Sequence, residues 1–145
     1  MSLIENALRI ALEAHAGQED KAGRPYILHP LTLMLQMDTE EEMIVAMLHD
    51  VVEDSAVTFD DLAAAGFSAD VLAALALLTH STSDVAYDDY IAELLANDTP
   101  AHRLARKVKR ADLAHNMDVR RLPEVTLADL GRLSKYRRAW AALGE

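Results

Sequence analysis

Chemistry crowds into one run of seven residues, Leu48-His49-Asp50-Val51-Val52-Glu53-Asp54. An imidazole and three carboxylates stand there in apolar company. On one helix, His49 and Glu53 share a face, as do Asp50 and Asp54, with Met47, Leu48, Val51 and Val52 packing around them. An imidazole beside a carboxylate suits a borderline divalent cation, because nitrogen and oxygen are both donors such an ion accepts. A second stretch, "VKRADLAHNMD", carries Asp112 inside a stripe made by Val108, Ala111 and Leu113. A carboxylate buried there is costly unless it is paired or bound to a cation. Asn116 lies one turn further along the same face, and His115 is an equal candidate by spacing alone. The plain alternative is a helix with a hydrogen-bonded histidine and a solvated acidic end.

The elements that must position these residues read as helices throughout. Ser2 and Glu5 form a capping box for a helix running to about Ala16, with Gly17 as its stop. "GQEDKAGRPYILHP" reads as a loop, and Pro30, just after His29, sits where the next helix begins at "LTLMLQM". Asp38 or Thr39 caps the helix that carries the central run. Thr58 with Asp61 opens a short helix closed by Gly66, and Ser68 opens another through "ADVLAALALLTH". After a loop at "STSD", "YDDYIAELLAN" is amphipathic and ends at Asn97 and Asp98. Thr99 and Pro100 start the long basic helix "AHRLARKVKRADLAHNMD", and Thr126 with Asp129 starts the last one, ending near Gly144. No segment alternates with period two, so the expected fold is all-α, about eight helices in one bundle-like domain over residues 1–145.

Composition agrees with a helical domain. Of 145 residues, 51% are hydrophobic, with 5 Gly and 4 Pro, so a sizeable core can be buried. Cysteine is absent, which excludes disulfides and Cys-ligated zinc. The first residues lack a signal-peptide pattern, and no run is long and apolar enough to span a membrane, so a cytoplasmic protein is expected. The formal charge is −10, which makes nucleic acid a poor partner. That charge is uneven: residues 1–100 are strongly acidic and residues 101–145 are net basic, a field that could serve a small anionic ligand.

Taken in order, "HAGQEDKAGRPYILHP", "AMLHDVVEDS" and "VKRADLAHNMD" resemble the HD-domain superfamily. Within it they resemble the (p)ppGpp hydrolase domain of RelA/SpoT-type alarmone enzymes and their single-domain small relatives. The resemblance covers almost the whole chain. It implies an all-helical domain holding one divalent ion, Mn²⁺ foremost with Fe²⁺, Co²⁺ or Zn²⁺ as alternatives. The positions matching the ligands are His29, His49, Asp50 and Asp112. Glu53 and Asp54 match the pair that activates the attacking water and handles protons, while Asn116 and Lys109 match residues near the nucleotide. Lys21 and Arg24, in the loop, are further candidates for holding it. Two positions depart from the family: Asp20-Lys21 replaces an Arg-Lys pair, and Asp118 stands where an arginine is common. Arg24, Arg120 and Arg121 are near enough in sequence to compensate.

The implied function is a metal-dependent nucleotide pyrophosphohydrolase that removes the 3′-pyrophosphate of (p)ppGpp. Two intact imidazoles and two carboxylates leave positions on an octahedral ion for water and a phosphate oxygen. At this length the chain is expected to hydrolyse without synthesising. Two alternatives stand beside that reading: action on another phosphorylated nucleotide, such as a deoxynucleotide or NADPH, and a non-catalytic nucleotide-sensing domain. Oligomeric state is not fixed by any of these residues.

Overall fold

The computed structural model of the chain describes residues 1–79 and 86–144. Among them there are nine α-helices and a single 3-10 turn, and no strand. The helices are α1 (Leu3–Ala14), α2 (Leu28–Leu35), α3 (Glu40–Leu48), α4 (Val51–Asp54), α5 (Phe59–Ala64), α6 (Ala69–Leu78), α7 (Tyr87–Leu95), α8 (Pro100–Asn116) and α9 (Leu127–Leu143), with the 3-10 turn at Val119–Arg121. The all-α expectation holds. The loop expected at "STSD" and the helix end expected at His80 lie outside the described residues.

Local chemistry sets most of the helix starts. Ser2 with Glu5, Thr39 with Glu42, Thr58 with Asp61 and Thr126 with Asp129 each form a reciprocal capping box. Ser68 and Thr99 cap α6 and α8 with their hydroxyls, and Pro100 occupies the first turn of α8, where its missing N–H costs nothing. Gly17, at φ +79°, turns the chain away from α1. Two boundaries differ from expectation. Helix α2 begins at Leu28 rather than at Pro30, which places His29 on a helix instead of in the loop. The central run is split between α3 and α4, so it does not form one continuous helix.

Beyond its acidic first turn, helix α3 is apolar on every side, and Ile44, Val45, Ala46, Met47 and Leu48 are all buried. A helix of that kind must lie at the centre. It packs on α1, α2, α6 and α8, while α8 packs on α2, α3, α6, α7 and α9. Helices α2, α3 and α8 therefore meet pairwise; α2 and α8 each carry a candidate ligand, and His49 follows directly on α3. Part of the basic C-terminal third is paired with acidic groups elsewhere. Lys107 reaches Asp38 at 2.6 Å and Glu42 at 2.9 Å, and Arg106 reaches Asp98 at 2.6 Å. Exposed pairs of this sort contribute about 0–1 kcal/mol each, so they tune the packing rather than drive it. No helix among the described residues is long and apolar enough to cross a membrane.

Burial makes one prediction independent of the site. Leu94 is fully buried in α7, which packs on α8 and α9. Leu94→Ala should cost about 2–5 kcal/mol in urea unfolding while leaving cation uptake by the folded protein unchanged.

Candidate metal centre and adjoining cavity

The break after α3 is made by His49 itself. Its Nδ1 lies 2.7 Å from the Ala46 carbonyl, and since a carbonyl only accepts, Nδ1 is the donor. Asp50 then leaves the helical region (φ −108°, ψ 0°) and α4 starts anew. With its proton spent on Ala46, a neutral His49 ring presents the Nε2 lone pair inward. That atom is buried 3.1 Å from Asp50 Oδ2 and 3.5 Å from Asp112 Oδ1, yet it meets hydrogen-bond geometry with neither. A buried nitrogen facing two carboxylates in this way suits a cation between them.

His29 reaches the same point from the first turn of α2, with Nε2 at 2.8 Å from Asp112 Oδ1. Single ligand atoms of His29, His49 and Asp50 lie within 4.8 Å of one another, a group able to hold a metal ion. Asp112 closes the arrangement from α8. Its Oδ1 also accepts from Asn116 Nδ2 at 3.1 Å, and its Oδ2 from Lys109 Nζ at 2.8 Å. Two buried imidazoles and two carboxylates match the donor set of a borderline divalent ion.

The charges follow from this packing. Burial opposes ionisation of Asp112, but the Lys109 ammonium and the two histidines overcome it and hold the carboxyl well below its usual range. Burial likewise opposes the charge on His49, and Asp50 and Asp112 outweigh it, raising the imidazole well above its ordinary value. The carboxylates that draw a proton to His49 are the same groups that would attract a cation. Asp54 is pushed up by partial burial first and by the Asp50 carboxylate second.

Several supporting residues had no role in the sequence analysis. The Tyr26 hydroxyl donates to Asp50 Oδ2, and its ring lies between His15 (centroids 4.8 Å) and His29 (5.7 Å). Gln18 Nε2 donates to the Asp54 carbonyl at 3.0 Å, while its Oε1 meets His15 Nδ1 at 2.8 Å. The start of the first motif, "HAGQ", thus ties α1 to the end of α4. The three-residue spacing of His15 and Gln18 was a signal that could have revealed the pair.

A cavity of about 330 Å³ adjoins the centre through Tyr26, His29 and Asn116. Lys21, Arg121 and Arg132 line it, opposed by Glu19, Asp20, Asp118 and Asp129. Of the four residues expected near the substrate, Asn116 and Lys21 line this cavity. Lys109 does not: it is turned onto Asp112, 5.4 Å from the Tyr90 ring centroid. Arg24 is exposed, and its backbone is tied to Asp20. Glu53 and Asp54 sit on α4 at the exposed rim, away from the cavity lining. Of the arginines expected to compensate near Asp118, Arg121 lines the cavity, whereas Arg120 turns to Asp118 itself at 2.8 Å.

Lys109 makes Asp112 structural whatever the centre binds. In chelator-containing buffer, Asp112→Ala should lose about 3–5 kcal/mol, because an ammonium stays buried without its partner. Adding Lys109→Met should restore much of that loss in urea denaturation. A single variant as stable as wild type would refute this account of the pair.

No protein-family model matches the chain. A 63-residue stretch is 38% identical to the guanosine-3′,5′-bis(diphosphate) 3′-pyrophosphohydrolase of Aquifex aeolicus (strain VF5), over 41% of this chain and 9% of that protein. The bifunctional (p)ppGpp synthase/hydrolase SpoT of Escherichia coli (strain K12) is 36% identical over 63 residues, again 41% of this chain and 9% of the relative. The chain thus spans about a tenth of the curated relatives it matches. A solved structure described as a metazoan ortholog of SpoT that hydrolyzes ppGpp superposes with a TM-score of 0.75 at 20% identity, covering 99% of this chain and 85% of that one. Over 63 residues the chain is similar in sequence to these (p)ppGpp hydrolases, and along nearly its whole length it shares the fold of the solved SpoT ortholog.

Proposed function

We propose that the chain is a metal-dependent nucleotide pyrophosphohydrolase that removes the 3′-pyrophosphate of (p)ppGpp. The observation that carries this reading is the convergence of His29, His49 and Asp50 within 4.8 Å at the end of a cavity of nucleotide dimensions. Asp112 completes the ligand set, and Mn²⁺ is the ion we favour for it. A divalent cation there supplies positive charge to the phosphate under attack and the acidity that readies a water.

The chain's own residues do the rest. Tyr26 orients Asp50 through its hydroxyl, and Ala46 fixes the His49 ring, so two donors are aimed before any ion arrives. Asp54, with its carboxyl pushed up, takes the proton from the attacking water, and Glu53 assists it from the same short helix. Asn116 and Lys21 hold the nucleotide from the cavity wall, with Arg121 beside them.

A second reading, another phosphorylated nucleotide, is favoured by the cavity charge. Three cations face four carboxylates there, a poor match for a guanosine carrying two diphosphates. Asp20 stands at the position where the family has arginine, and its Oδ1 accepts from the N–H groups of Ala22 (2.9 Å) and Arg24 (3.0 Å). The carboxylate folds the loop, so it cannot be exchanged for arginine without loss of two hydrogen bonds.

The deciding experiment is a Mn²⁺-supplemented hydrolysis screen over ppGpp, pppGpp, deoxynucleoside triphosphates and NADPH, with product identification. Pyrophosphate and GDP from ppGpp are expected; turnover of another nucleotide alone selects the second reading. Asp54→Asn should keep the metal content and lower kcat by about 10²-fold or more. Loss of metal together with activity would make Asp54 a ligand instead. Asp20→Asn keeps the loop acceptor and removes one negative charge, so KM for ppGpp should fall by roughly two- to fivefold if this wall faces phosphate.

A further inference from the structure

We propose that His115 sets the ring tautomer of His29 and thereby decides whether His29 can ligate a cation. The inference rests on the reading of His29 as a ligand. The two Nδ1 atoms are 2.7 Å apart, the rings are within 5° of parallel, and their centroids are 5.0 Å apart. A nitrogen contact that short at that centroid separation places the rings edge to edge in nearly one plane, not face to face. Two ring nitrogens so close share one proton, and one of them must donate while the other accepts.

A ring that ligates through Nε2 carries its proton on Nδ1. In His29, Nε2 is the atom directed at Asp112 Oδ1, so a ligating His29 must donate from Nδ1 to a bare His115 Nδ1. With the polarity reversed, a neutral His29 carries its proton on Nε2, where it points at Asp112 and blocks a cation. His49 has no such choice, because the Ala46 carbonyl can only accept. One histidine of the centre is therefore locked by backbone, and the other depends on a partner able to play either part. His115 is suited to hold its position: it lies in the last turn of α8, three residues from Asp112, and Arg121 Nη1 donates to its carbonyl at 2.9 Å. It is a positioning residue, since it acts on the ion only through His29.

The test is a calorimetric titration of Mn²⁺ into chelator-stripped full chain. Wild type should take up one ion, and His115→Leu should weaken binding by about tenfold or more, the usual scale for loss of a group that orients a ligand. In His115→Asn the side-chain Oδ1 takes the place of Nδ1 and accepts the same proton, so affinity should stay within about threefold of wild type. A Leu variant that binds as tightly as wild type, or an Asn variant as weak as the Leu variant, overturns the proposal while sparing the ligand reading. A wild-type protein that takes up no Mn²⁺ overturns both. Nitrogen-15 NMR of wild type loaded with diamagnetic Zn²⁺ needs no variant to fold: protons on His29 Nδ1 and His115 Nε2 are expected, and a proton on His115 Nδ1 overturns the assignment.

Discussion

A carboxylate buried on a helix has to be answered by its neighbours, and Asp112, near the C-terminal end of α8, is answered from three helices. Lys109 and Asn116 come from its own helix at 2.8 and 3.1 Å, His29 from α2 at 2.8 Å, and His49 from the end of α3 at 3.5 Å. An uncompensated charge at that depth would cost several times what any surface pair contributes. The packing of α2, α3 and α8 is therefore constrained as much by this one group as by the apolar contacts around it. Lys109 offsets part of the Asp112 charge, and Asp50 adds a second carboxylate for the histidines, and for a cation, to neutralise.

The second constraint is the interruption between α3 and α4. A continuous helix would carry Asp50 around with the apolar stripe and leave its carboxylate pointing along the helix surface. By taking the Ala46 carbonyl, the His49 ring ends α3 where its own Nε2 faces Asp112, and Asp50 turns toward Tyr26. The Glu53-Asp54 pair then falls on a separate short helix at the solvent edge, tied to α1 through Gln18. Groups suited to holding an ion and groups suited to exchanging protons with water are thus placed in different environments by one side-chain hydrogen bond.

Asp20 and Asp118, the two positions where the chain departs from the family it resembles, are both engaged in the cavity wall. Asp20 is engaged by two backbone N–H groups and lies 3.8 Å from Arg121, and Asp118 caps the 3-10 turn and pairs with Arg120. Both carboxylates act in folding the loops as well as in setting the field. Lys21 and Arg132 are similarly placed against Asp129.

What the sequence determined by itself was local or periodic. Capping pairs such as Ser2 with Glu5 and Thr126 with Asp129 act within four residues, and the apolar spacing of α8 marks Asp112 as buried without any knowledge of its partners. His29, His49, Asp50 and Asp112 were legible together because three motifs in the right order resemble a known family, not because spacing relates residues so far apart. Tertiary structure alone decided the rest. Lys109 is turned onto Asp112 and away from the cavity because a buried carboxylate is a stronger claim on an ammonium than solvent is. Asn116 was paired with Asp112 on one face, while His115, its equal by spacing, was directed to His29. The central run broke because a ring nitrogen competed with the helix for one carbonyl. Each of these outcomes depends on which group wins a partner within about 3 Å, and that is set by how helices distant in sequence pack together.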